Sequence, residues 1–172
     1  MKRRTCGFIA AALVLVLVGS IAYLIHRQRA EILSIGQSEF SQADSMLETA
    51  VSLPIPENPL SDRAITVAQA AAFLQSADLS LGKIGVRHLY GISEALYGFS
   101  YDLPYPKAYG RKKVQREWQF IILTEKELNS CWDLRDNTSV LNLKRLRAVF
   151  ADLYKNMPVS AAQRAGYYNA SQ

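Results

Sequence analysis

Hydrophobic residues crowd the start of the chain. Cys6 to Ile25, CGFIAAALVLVLVGSIAYLI, holds no charged residue. Twenty helical residues span roughly 30 Å, the thickness of a bilayer's hydrocarbon core. The strong apolar members, from Phe8 to Ile25, favour insertion by roughly 3 to 7 kcal/mol at the per-residue values measured near a helix centre. The pattern predicts a transmembrane anchor over 6–25, behind a basic start at 1–5.

After the anchor the pattern changes to an amphipathic one. Ile32, Leu33, Ile35, Phe40, Ala43, Met46, Leu47, Ala50 and Val51 recur at three- and four-residue spacings, and 27–53 has no proline. The period predicts a helical stalk over 26–53, continuous with the anchor. Leu33, Phe40, Met46 and Leu47 are its candidate packing residues, docking on the domain or pairing with a second copy. Pro54, Pro56 and Pro59 end the stalk and define a connector at 54–60.

A small, mainly helical domain is expected over 61–158. Ser61 or Asp62 caps a helix running to about Ala77, with Ala64, Ile65, Ala68, Ala71, Ala72 and Leu74 as its small-residue face. The stretch 79–97 reads as a glycine-weakened helix, and 98–110 as a loop. Trp118 to Leu123 is the best strand candidate, rich in aromatic and β-branched residues. Either one short β-hairpin gives it a partner from 84–102, or the run is a buried helix segment. Thr124 with Glu127 has the form of a capping box for a helix reaching about Leu134, and 136–139 reads as a turn. Leu143, Leu146, Phe150, Leu153 and Met157 mark the last helix, stopped by Pro158. A polar tail occupies 159–172. The fold class is therefore mainly α: one transmembrane helix, a helical stalk and a small helical domain.

Charge sets the expected direction of the anchor. Lys2, Arg3 and Arg4 precede it, while His26, Arg27 and Arg29, offset by Glu31, follow. The positive-inside bias places the amino terminus in the cytoplasm and the domain outside it, which is periplasmic in a Gram-negative cell. A cleaved signal peptide shares these features, with Val18-Gly19-Ser20 as the cleavage candidate. The apolar run continues past that point and lacks an Ala-x-Ala ending, which favours an uncut anchor. The overall charge of +5 comes largely from the first residues. From Arg27 to Pro106 the net is about −4, and from Lys107 onward about +6.

Candidate chemistry is sparse. The chain has no phosphate-cradling glycine motif, no dinucleotide fingerprint and no nucleophile elbow. His26 and His88 cannot form a zinc pair at helical spacing. His88 with Ser93, Glu94 or Asp102 would be a general-base arrangement of low specificity. Glu94 with Asp102, or Glu117 with Glu125, would be the carboxylate pairs of an enzyme on envelope polymers. Cys6 and Cys131 cannot plausibly pair within one chain, and Cys131 reads as a buried thiol. Asn137-Thr138-Ser139 and Asn169-Ala170-Ser171 match the glycosylation pattern. No cofactor is expected.

The strongest local anomaly is the aromatic and basic segment 101–118. Tyr101, Tyr105, Tyr109 and Trp118 surround Lys107, Arg111, Lys112, Lys113 and Arg116. Rings and cations at this density suit an anionic ligand, such as a lipid headgroup or cell-wall polymer, or an acidic protein face. Nucleic acid is disfavoured by the outward topology. The expected function is a single-pass, non-catalytic accessory or scaffold subunit of a membrane complex, whose partners are the lipid bilayer and either another protein or a second copy.

Overall fold

Two antiparallel helices with interlocking seams carry the architecture. The computed structural model describes residues 2–52, 60–135, 138–160, 163 and 166. Helix α1 (Lys2–Ser52) runs through the apolar segment and the stalk as one unbroken element. Its described part ends at Ser52, next to a Leu53-Pro54 step in the sequence, where proline disfavours helix in its predecessor. Helix α2 (Leu60–Leu81) packs along the second half of α1. Two pairings fix its direction. Gly36 of α1 lies against Ser80 and Leu81, and Ser76 Oγ donates to Glu39 Oε1.

The seam of α1 is Gly36, Phe40, Ala43, Leu47 and Ala50, all buried. These positions alternate by four and three, the spacing that keeps one stripe facing a neighbour. Of the expected stalk residues, Phe40 and Leu47 are fully buried, and Leu33 and Met46 pack at the core's edge. The stripe is thus occupied within the chain. On α2 the buried stripe is Ala64, Val67, Ala70, Ala71, Leu74, Ala77 and Leu81. Its alanines let the two backbones approach. Ile65 and Ala72, expected on this face, are exposed.

The stretch 79–97 is not one helix. After α2 a single 3-10 turn, Gly82–Ile84, leads into Gly85 at φ 85 and His88 at φ 73. The left-handed conformation at Gly85 closes the end of α2, with Gly85 N–H bonded to Gly82 O and Val86 N–H to Leu81 O. Helix α3 (Leu89–Asp102) then runs back along α2 and takes the first residues of the expected loop. One turn of helix, α4 (Pro106–Tyr109), and Gly110 at φ 92 reverse the chain into α5.

Helix α5 (Arg111–Asn129) overturns the strand expected at 118–123. A short apolar run has no period of its own, and helix-favouring residues flank it on both sides. Phe120 and Ile121 enter the core, whereas Ile122 and Leu123 remain partly exposed. Thr124 lies inside this helix and bonds back to Phe120 O at 2.8 Å, so it caps nothing.

The hairpin is real but lies elsewhere. Strands β1 (Trp132–Arg135) and β2 (Thr138–Leu141) pair antiparallel, with Trp132 opposite Leu141 and Arg135 opposite Thr138. Thr138 and Ser139, expected in a turn, belong to β2. Trp132 Nε1 donates to Asp44 Oδ2 at 2.8 Å and Gln37 Nε2 to Ser139 O at 3.2 Å, pinning the hairpin to α1. Asn142 closes it. Its N–H bonds Cys131 O, and its side chain caps helix α6 (Leu143–Asn156) by accepting from Arg145 N–H. The core gathers Phe40, Trp132 and Phe150 in tilted and edge-on ring contacts.

Among the described residues the structure is therefore mainly helical, with six α-helices and one two-stranded sheet. The helix near the amino terminus is long and apolar enough to cross a membrane. The prolines of the connector, Asp136-Asn137, both asparagines of the glycosylation patterns and most of the tail beyond Ser160 lie outside the described residues.

Candidate functional site

The aromatic and basic segment folds into a cap at one end of the bundle. Helical spacing on α3 brings Tyr97 and Tyr101 edge to face, with ring centres 5.1 Å apart and Tyr101 OH bonded to Tyr97 OH at 2.7 Å. Pro104 and Pro106 shape the turn after α3, and Pro106 starts α4, where its missing N–H is not needed. Tyr105 precedes α4 and Tyr109 ends it. The four rings remain well exposed: Tyr97 46%, Tyr101 57%, Tyr105 62% and Tyr109 48%.

The cations of the segment divide into two groups. Lys107, Arg111, Lys112 and Arg116 are exposed and make no ion pair with another described residue. Lys112 and Arg116 lie one turn apart on the same side of α5. Lys113 turns inward. Its Nζ contacts Asp102 Oδ2 at 2.5 Å and Glu117 Oε1 at 3.4 Å, and sits 5.4 Å from the Tyr109 ring centre. Trp118 also belongs to the interior. It is half-buried, with the buried Arg63 guanidinium 4.9 Å above its ring.

Sequence reading missed the pairing of Asp102 with Glu117, having paired Asp102 with Glu94 and Glu117 with Glu125. The two carboxylates come from α3 and α5, and Lys113 bridges them. Glu117 is buried, and its Oε2 accepts no hydrogen bond. Burial first, then the nearby Asp102 carboxylate, push the Glu117 pKa up, against the pull of Lys113. Lys113 is pushed up in turn, chiefly by its bond to Asp102. The i, i+4 spacing of Lys113 and Glu117 was the available signal.

The remaining candidates separate in space. His88 stacks on Tyr154 with ring centres 4.6 Å apart, and burial, then Arg87, lower its pKa. Asp102 closes the opposite end of α3, about 20 Å away at 1.5 Å per residue, too far to orient His88. Cys131 is buried beside the hairpin, its thiol pushed up to about 12 by burial. Among the described residues no three His, Cys, Asp or Glu side chains gather as a metal site.

The tyrosine cap lies at the far end of the domain from the apolar run. The start of α2 lies beside the end of α1, and Arg63, near the start of α2, covers Trp118. Ala50 follows Ile25 along α1 by about 38 Å of helix rise. No protein-family model, curated protein or solved structure matches this chain.

Proposed function

We propose that the chain is a single-pass membrane protein with a cytoplasmic amino terminus and an outward-facing helical domain. It acts as a non-catalytic accessory or scaffold subunit. The domain meets an acidic face of a protein partner through the tyrosine and cation cap. The observation that carries this reading is the cap itself: four exposed tyrosines beside four exposed cations with no carboxylate partner among the described residues. Exposed aromatic clusters rimmed by charge mark contact surfaces, where rigid rings supply area and cations supply register.

The docked stripe of α1 argues against self-association through the stalk, because Phe40, Ala43, Leu47 and Ala50 are already buried within the domain. The height of the cap, about 38 Å along α1, argues against headgroups of the anchor's own membrane as its ligand.

A photo-crosslinker placed at Tyr105, in membranes from cells making the full chain, tests the reading. A discrete adduct from Tyr105 but not from Gln75, lost when Lys112 and Arg116 are changed to Glu, is expected. A chain that remains monomeric and adduct-free from both positions removes it.

A further inference from the structure

A second surface lies at the other end of the domain, where α1 leaves the apolar run. A groove of about 570 Å³ opens between α1, the 3-10 turn and the start of α6. Its apolar wall includes Ile25, Ile32, Ile84 and Leu143, and its cations are Arg29 and Lys83. No carboxylate lines it among the described residues. Two acids lie close to its lining residues in sequence. Glu31 lies two residues from Arg29, about 200° round the helix. Asp78 lies on α2 near the backbone of Tyr90.

Three features make this a formed site. Arg29 and Lys83 are 54 positions apart in sequence yet meet at one groove. The turn bearing Lys83 is clamped: Arg147 donates through Nη2 to Ile84 O at 2.6 Å and through Nε to Gly85 O at 3.0 Å. Ile25, the last residue of the uncharged run, forms part of the wall. Arg29 follows it by about 6 Å of helix rise, within the headgroup layer of about 5–8 Å on each side of a bilayer.

We propose that this groove binds one anionic phospholipid from the leaflet on the domain's side. Its phosphate lies between Arg29 and Lys83, and the upper part of a chain lies against Ile25. The inference rests on the membrane-spanning reading of 6–25 and is independent of the partner at the cap. The lipid would fix the height of the domain against the bilayer surface.

The test uses the full chain. Alkali washing of membranes comes first. Release of the chain overturns the spanning reading and this site with it. For a chain retained in the pellet, native mass spectrometry in detergent follows, with added phosphatidylglycerol or phosphatidylcholine. One retained phosphatidylglycerol per chain is expected, with no comparable phosphatidylcholine adduct. Arg29→Gln with Lys83→Gln should weaken retention roughly tenfold to thirtyfold, from the loss of two near-surface charges. Lys126→Gln with Lys155→Gln, an equal loss of charge elsewhere, should leave it unchanged. Equal retention by the Arg29 and Lys83 variant, or equal loss in both variants, overturns the site while leaving the anchor intact. Displacement by inorganic phosphate assigns the groove to free anions and overturns the lipid.

Discussion

At the scale of single residues, Gly36 admits no side chain unless its neighbours shift. A Cβ there would lie 2.6 Å from the Leu81 side chain, which is fully buried and has nowhere to move. Gly36→Val should therefore destabilise the fold by about 1–3 kcal/mol, the usual range for overpacking, read as a lowered melting temperature of the solubilised chain. Glu117 gives a pH test. Its raised pKa means the folded chain holds this proton where the unfolded chain has lost it. Its contribution to stability is greatest below the ordinary value of 4.5 and declines as the pH rises through the folded value. Glu117→Gln should flatten that decline in urea unfolding at a series of pH values. Asp44 and Asp78, both raised by burial, retain their share. Cys131, with its thiol near 12, should resist a thiol reagent at neutral pH in a Cys6→Ala background and react only on unfolding.

At the scale of elements, the local turns are the most informative. The bonds from Arg147 to Ile84 O and Gly85 O join two segments that sequence gives no reason to connect. Arg147→Met should speed amide exchange at Val86, whose N–H bonds Leu81 O, while leaving α3 protected. The long helices were legible because their stripes repeat many times. Helix α6 carries its Leu143, Leu146, Phe150 and Leu153 stripe openly, with Met157 buried just past its end, and the stalk stripe holds Phe40 and Leu47. Helix α5 was misread because Trp118 to Leu123 is too short to reveal a period, and its buried stripe includes the polar Glu117 and Thr124. The hairpin escaped because each strand is four residues long and partly polar. The segment 101–118 stood out by composition, but Tyr97 joins Tyr101 only through helical spacing on α3, and Trp118 turns inward under Arg63. Whether a lysine points outward or bridges two acids depends on the crossing of α3 and α5.

At the scale of the whole molecule, α1 belongs to both the apolar run and the core. Full-length mass in the alkali-washed pellet is expected for an uncut anchor. A soluble species beginning near Ile21 would show cleavage after Ser20, and such a fragment would keep the entire α1 seam from Gly36 to Ala50. Exposed cations lie at both ends of the domain: Lys107, Arg111, Lys112 and Arg116 at the cap, and Arg29 and Lys83 beside the apolar run.

The unbroken course of α1 has a mechanical consequence. A helix without a hinge is a lever, and the domain is fixed to its long arm. On the spanning reading, a tilt of about 20°, ordinary for a membrane helix, swings the cap sideways by about 13 Å while hardly changing its height. A single residue inserted near Gln28 turns the cap about 100° around the helix axis. On the same reading, a thinner bilayer favours more tilt, and so a wider radius at which the cap would meet the proposed partner.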